Sequence, residues 1–350
     1  MFICLSSGAS PRYRQDILRA LALPRGARLQ FRYQFRWIAQ GIRDQLSKGT
    51  LKKAAALIAY IDQHDNTKVP ELVPCRFATI TDAEEHGTTA SFVLTVDDFA
   101  YSDNLSAFNT ELQSLSGGTL PRWQPDGKIA GTYWLESSAA PVTVIRSANL
   151  ADWERIVNQI AGYEEFASEK FFYTLQGVRR LGSSKDLIPY SGVFALDPGR
   201  HYECRIYHFQ PRAAAEGTGL KLMSSDESLA RFTTNTFLSI DSRYDLKRAR
   251  LRTGRPARGE ETVISVHRVE SDQGSFGIWD FDLPLRVSGT FWQTLVYGIV
   301  LGALLASPEV VGALSNPSLS SENQTVIVIV ASVAGLFAGV LAAFGLRRSV

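Results

Sequence analysis

Two rows of arginine are the residues of this sequence best suited to binding chemistry. The rows consist of Arg28, Arg32 and Arg36, and of Arg248, Arg250 and Arg252. Because successive side chains of a β-strand point to opposite faces, each row would project from one face of its strand. The planar guanidinium group pairs with phosphate or carboxylate through two parallel hydrogen bonds. Each row therefore predicts a site for an anionic ligand, a nucleic acid or anionic lipid headgroups.

The alternative for each row is a solvated strand face without a ligand. For the second row, nearby acidic residues such as Glu260 and Glu261 would then balance the positive charge.

Few groupings in the sequence would support catalysis or metal binding. Cys204 and His208 would share a strand face, but four residues of strand separate them by roughly 13 Å, which is too far for one metal ion. Asp280 and Asp282, two residues apart, would also share a strand face. Such carboxylate pairs can transfer protons or bind magnesium. Salt bridges and turn caps explain these carboxylates better, because no second metal ligand accompanies them and no nucleotide-binding fingerprint occurs. We therefore expect a protein that is not an enzyme and uses no metal or cofactor.

The elements that must position the rows are strands. Over residues 28–37 the apolar side chains fall on one face and the arginines on the other, the period of a half-buried strand. The second row lies among six or seven short strand candidates in about a hundred residues, which suggests a sandwich-like or barrel domain. Between these regions, Asn149 is a good N-cap for a helix that continues through Ile160.

Charge is distributed unevenly along the 350 residues. The formal net charge is +2, so the chain as a whole is not a strongly basic nucleic-acid binder. The first 53 residues nevertheless carry eleven Lys and Arg against two acidic residues. Three widely separated cysteines do not indicate a disulfide framework.

Two long segments near the C-terminus are apolar and uncharged, at 291–306 and 325–346. At about 1.5 Å per residue, the second would span roughly 33 Å as a helix, enough for a hydrocarbon core of roughly 30 Å. The first becomes long enough when residues 288–290 join it. Arginines flank the pair and none lies between the two segments, so the positive-inside rule places both termini in the cytoplasm. We expect a transmembrane hairpin with spans at 289–306 and 325–346; the alternative is a buried hairpin.

Each apolar segment also contains a pair of glycines four residues apart. Gly298 and Gly302 form the first pair, and Gly335 and Gly339 form the second. Glycines at this spacing lie on one helix face and let another backbone approach closely. They predict packing within the hairpin or association into a homo-oligomer, such as a tetramer.

These observations together predict three units. We expect an α+β domain at 1–181, an all-β domain, sandwich-like or barrel, at 190–288, and the transmembrane hairpin at 289–346. The expected location is the inner membrane of a bacterium, crossed by two spans, with the lipid bilayer as one partner.

This layout of hairpin, glycine spacing, β-rich domain and basic patches resembles the two-span membrane effectors of prokaryotic antiviral systems. Among these it is most similar to membrane proteins that accompany long, catalytically inactive Argonautes. The resemblance implies a non-enzymatic effector of abortive infection. Such an effector senses a cytosolic partner, for example a nucleic-acid-loaded Argonaute, and oligomerises to depolarise the membrane. The alternatives are a membrane-tethered scaffold or signalling adaptor, and a tethered enzyme.

Overall fold

The computed structural model describes residues 1–8, 10–63, 70–212, 217–269 and 278–290, and a few short stretches between 295 and 335. The strands are β1 (Phe2–Ser7), β2 (Arg28–Gln34), β3 (Ala55–Asp62), β4 (Glu71–His86), β5 (Thr89–Tyr101), β6 (Arg122–Trp123), β7 (Ile129–Ala130), β8 (Trp134–Glu136), β9 (Ile145–Ser147), β10 (Phe172–Arg180), β11 (Phe194–Leu196), β12 (His201–Phe209), β13 (Gly219–Ser224), β14 (Ala230–Phe232), β15 (Phe237–Ser239), β16 (Tyr244–Thr253), β17 (Glu260–Val269) and β18 (Ile278–Val287). The α-helices with assigned bounds are α1 (Pro11–Ala22), α2 (Gln40–Ser47), α3 (Leu105–Leu115) and α4 (Leu150–Ala161).

The first sheet has seven strands, in the order β2-β5-β4-β3-β1-β8, with β9 paired to β5. Strands β1 and β3 are parallel, and the other pairs are antiparallel. One face packs against α3 through Phe108 and Leu112, and the other packs against the apolar sides of α1 and α4. Strand β2 lies at the edge of this sheet and alternates as predicted, with Leu29, Phe31 and Tyr33 buried.

Two further sheets follow in the chain. The second sheet has the order β10-β12-β16-β14, and the third has the order β11-β18-β17-β13-β15. Buried residues of both sheets, such as Cys204, Leu251 and Leu283, belong to one hydrophobic core that continues to the first sheet. Strand β10 lies within the predicted first domain but pairs with β12.

The predicted fold class, an α+β domain, an all-β domain and a transmembrane hairpin, is wrong. The described residues are mostly β and form several sheets, and even in the N-terminal part the longest elements are strands of 16 and 13 residues. Long strands prevail there because apolar and β-branched residues recur through segments that looked like short hairpin arms.

The transmembrane prediction is also wrong, and with it the two-span location in a bacterial inner membrane. Among the described residues, no helix combines the length and the apolar character needed to cross a membrane. The four α-helices with assigned bounds contain 8 to 12 residues, or at most about 18 Å. An uncharged run of sequence does not by itself make a continuous helix of the required length. Most residues of the two predicted spans lie outside the described residues.

A polar cluster centred on the buried Tyr173 and Asp280 connects α1 to the second and third sheets. It consists of Gln15, Glu169, Tyr173, Arg268 and Asp280, and we call it the junction cluster. The guanidinium of Arg268 lies 2.8 Å from the Asp280 carboxylate and also pairs with Glu169. Asp280 accepts further hydrogen bonds from Tyr173 (2.6 Å) and Gln15 (2.9 Å). These contacts tie parts of the chain more than 250 residues apart into one unit.

Asp16, on the buried side of α1, gives the first testable prediction. Burial raises the pKa of its carboxyl to about 6, and the Arg19 guanidinium at 3.7 Å opposes this shift. Because the folded-state pKa lies above the unfolded value of 3.8, the charged form costs stability at pH 7. That cost disappears as the pH falls through 6 towards 4. We expect Asp16→Asn to raise the free energy of unfolding by about 1–3 kcal/mol at pH 7.

Urea unfolding at pH 7 and pH 4 would measure this difference, which we expect to be close to zero at pH 4. The matched control is Asp44→Asn on the exposed side of α2. A stabilisation by Asp16→Asn that is equal at both pH values would contradict the assignment.

Candidate functional site

The second arginine row lies on β16, an interior strand of the second sheet. Ala249 and Leu251 are fully buried, whereas Arg248, Arg250 and Arg252 are exposed. The local alternation of apolar and basic residues explains this orientation, since one face of the strand packs on the core. The three guanidinium groups therefore lie on the outer face of the second sheet.

Neighbouring strands add more arginines to the same outer face. Residues directly opposite each other in antiparallel strands point to the same side of the sheet. The register places Arg205 opposite Arg248 and Arg231 opposite Arg252. On β10, Arg179 lies opposite Glu203 of β12, and Glu203 lies opposite Arg250 of β16. We call Arg179, Arg205, Arg231, Arg248, Arg250 and Arg252 the arginine face.

Two carboxylates neutralise part of this positive charge. Glu203 is 2% exposed, accepts a 2.8 Å hydrogen bond from Arg179 and lies 4.0 Å from Arg250. Asp186 pairs with Arg205 at 2.5 Å. Glu260 and Glu261, which were considered as balancing acids, lie on β17 in the third sheet.

Three guanidinium groups of the arginine face remain uncompensated. Within the described ranges, Arg231, Arg248 and Arg252 have no hydrogen bond or ion pair through their side chains. Like charges directly opposite each other destabilise a sheet, and this face contains two such pairs. A bound anion would remove that repulsion, so the arrangement favours an anion-binding surface.

The structure does not keep the first arginine row together. Arg28 and Arg32 are exposed on the edge strand β2, but the strand ends at Gln34 and Arg36 lies in a short 3-10 helix. There its guanidinium lies 4.7 Å from the centre of the Trp37 ring. Arg28 donates a hydrogen bond to the Ser191 hydroxyl.

The segment between β10 and β11, residues 181–193, contacts both the first row and the arginine face. We call it the connector. Arg28 of the first row binds it at Ser191, and Arg205 of the arginine face binds it at Asp186. Gly26, next to the first row, also lies against Pro189 of the connector.

Two features of the sequence analysis remain, the four predicted packing glycines and the cysteine at which a metal or thiol site was considered and not predicted. Of the four packing glycines, Gly298, Gly302 and Gly339 lie outside the described residues, and Gly335 lies in a helical stretch at 328–335. Burial raises the pKa of the Cys204 thiol to about 12, which disfavours the reactive thiolate.

Three members of the arginine face were absent from the prediction. Arg205 and Arg231 are the single arginines of their strands, and Arg179 adjoins Arg180 alone. The pairing of distant strands brings these three residues to the row on β16. Alternation in residues 201–207 was a usable signal for Arg205, since His201, Glu203 and Tyr207 share its side of β12.

Comparison with known proteins adds no assignment. No family model matches the chain, and no curated protein matches it. The resemblance to antiviral effectors therefore stays a prediction.

Proposed function

We propose that this chain binds nucleic acid through the phosphates of its backbone, using the arginine face. The observation that supports this proposal most strongly is the directly opposed pair Arg231–Arg252, in which neither guanidinium has a carboxylate partner in the described structure, together with the uncompensated Arg248 beside it. Guanidinium groups suit phosphate because they present rigid, paired donors that stay charged at all physiological pH values.

The dimensions of the face suit several consecutive phosphates. Alternate residues of a strand lie about 6.8 Å apart, so the row on β16 covers about 14 Å. A nucleic-acid strand carries one phosphate for every 3.4 Å or so of duplex axis, or about four along this length. Arginines of β12 and β14 widen the surface by about 4.8 Å on each side.

Among the described residues, Tyr244 is an exposed aromatic side chain on this side of β16, four residues from Arg248. One ring at the end of the row does not make a stacking platform for successive bases. The candidate on the same side of β12, Tyr207, donates a hydrogen bond to Glu154 and packs edge-on against Trp153 of α4, at 5.8 Å between ring centres. Binding would therefore rest on phosphate contacts and carry little base specificity.

Fluorescence anisotropy of labelled 20-nucleotide DNA, single-stranded and duplex, tests the proposal across a range of salt concentrations. With three or four phosphate contacts, we expect log K to fall against log salt with a slope of roughly −2 to −4. Absence of binding at low salt, or binding that salt does not weaken, would refute it. Equal affinity for polyglutamate would assign the face to an acidic protein surface instead.

A further inference from the structure

A cavity of about 350 Å³ lies where the first sheet meets the second sheet and the connector. Its volume is in the range of sites that hold small molecules. One wall comes from the first sheet, with Arg76 and Phe99, and the opposite wall from β10, β12 and the connector, with Leu175, Leu187 and Arg205. Nucleic acid is too large for this space, so the cavity is a second site, which shares Arg205 with the arginine face.

Arg76 is an unusual residue for a cavity wall because it is only 2% exposed. Its Nε donates to the carbonyl oxygen of Asp97 and its Nη1 donates to that of Ala20 at 3.3 Å. In the described part of the chain, its Nη2 has no hydrogen bond and no carboxylate forms an ion pair with it. Burial lowers the pKa of this guanidinium to about 9, an effect that Asp98 and Asp97 partly oppose. The group lies 4.1 Å from the centre of the Phe99 ring.

Arg205 faces the cavity from the second sheet and is also incompletely paired. Its Nη2 binds Asp186, whereas its Nε is buried without a hydrogen-bond partner in the described structure. Gly177 lies opposite Arg205 in the sheet, and a Cβ there would come within 2.9 Å of the Asp186 side chain. The glycine thus lets Asp186 reach Arg205 and hold it at the cavity wall.

We infer that this cavity binds a small organic acid with one negative charge on a compact apolar body. The acid group would accept hydrogen bonds from Arg76 and Arg205, and the body would pack against Phe99, Leu175 and Leu187. Three arginines and two aspartates line the cavity, so its lining carries a net charge of +1. A ligand with a single negative charge neutralises this lining. The N–H group of Arg76 that has no partner in the described structure costs free energy in such surroundings, and a bound acid group would remove that cost.

Calorimetric titration of the full chain with benzoate tests the inference, with benzamide as the uncharged analogue and phenyl phosphate as the dianion. We expect benzoate to bind at least ten-fold more tightly than either compound. Arg205→Gln should weaken benzoate binding by about 10- to 100-fold, the effect of losing one charged hydrogen bond.

A pair of matched variants separates the cavity from the fold and from the arginine face. Ala148 is an exposed residue that lines the cavity, so Ala148→Trp should block benzoate while nucleic-acid binding stays unchanged. Ala140→Trp, also exposed but away from the cavity, should bind benzoate as the wild type does. No binding of benzoate to the wild type, or undiminished binding to Ala148→Trp, would overturn the inference even if nucleic acid binds. Tighter binding of phenyl phosphate would overturn the single-charge assignment.

Discussion

Replacing Arg248, Arg250 and Arg252 together by glutamine is expected to lower the affinity for a labelled oligonucleotide by several hundred-fold at about 0.1 M salt. Each phosphate contact contributes about 0.7–0.9 to the slope of log K against log salt. Three lost contacts should therefore reduce the slope by roughly 2 to 3. Anisotropy titrations of wild type and variant between about 0.05 and about 0.5 M salt would measure both the affinity and the salt slope.

The matched control for this variant is the triple replacement of Arg28, Arg32 and Arg36 by glutamine. It removes the same charge from the first row, which the structure splits between a strand and a 3-10 helix. We expect a loss of about ten-fold or less, since at most one contact is at stake. If the triple variant on β16 folds and binds as tightly as wild type, the arginine face is not the binding surface.

Removing the cation of the junction cluster is expected to cause the largest loss of stability. Arg268→Met would leave the carboxylates of Asp280 and Glu169 without the guanidinium that contacts both. Breaking a buried ion pair from one side costs about 3–5 kcal/mol, because the remaining charge stays buried and uncompensated. Urea unfolding at pH 7 would measure this loss.

The double variant Arg268→Met with Asp280→Asn separates lost charge pairing from lost packing. Asparagine keeps a hydrogen-bonding group for Tyr173 and Gln15 but carries no charge. We expect the double variant to recover at least about 1 kcal/mol relative to Arg268→Met. A loss below 1 kcal/mol in the single variant would show that the cluster does not hold α1 to the other sheets.

Features that depend on local sequence were predictable. Apolar and basic residues alternate at 28–34 and at 248–252, and the structure buries one set and exposes the other on both strands. Asn149 caps α4 as its type predicts, since its side chain accepts a hydrogen bond from the Ala151 amide. In each case neighbours along the chain determine the outcome.

Features that depend on the pairing of distant segments were not predictable. Arg231 joins the arginine face only because β14 pairs with β16 in one register. Asp280 was expected to share a strand face with Asp282, but the register shift between β17 and β18 leaves it as the extra residue of a β-bulge, buried under α1. Neither fact leaves a periodic trace in the sequence.

The prediction of membrane spans failed for a different reason. It relied on the absence of charge over two segments. The absence of charge indicates that a helix could be inserted in lipid at low cost, but it does not show that a helix of that length forms. Among the residues that the structure describes, no helix meets both requirements.

Arginine footprinting is the most direct test of the nucleic-acid interface. Phenylglyoxal modifies accessible guanidinium groups, and mass spectrometry would compare the modification of each arginine with and without saturating oligonucleotide. We expect Arg231, Arg248 and Arg252 to lose most of their reactivity in the complex, and Arg122, exposed on β6, to keep its own. Unchanged reactivity of those three arginines while the oligonucleotide is bound would contradict the proposed interface.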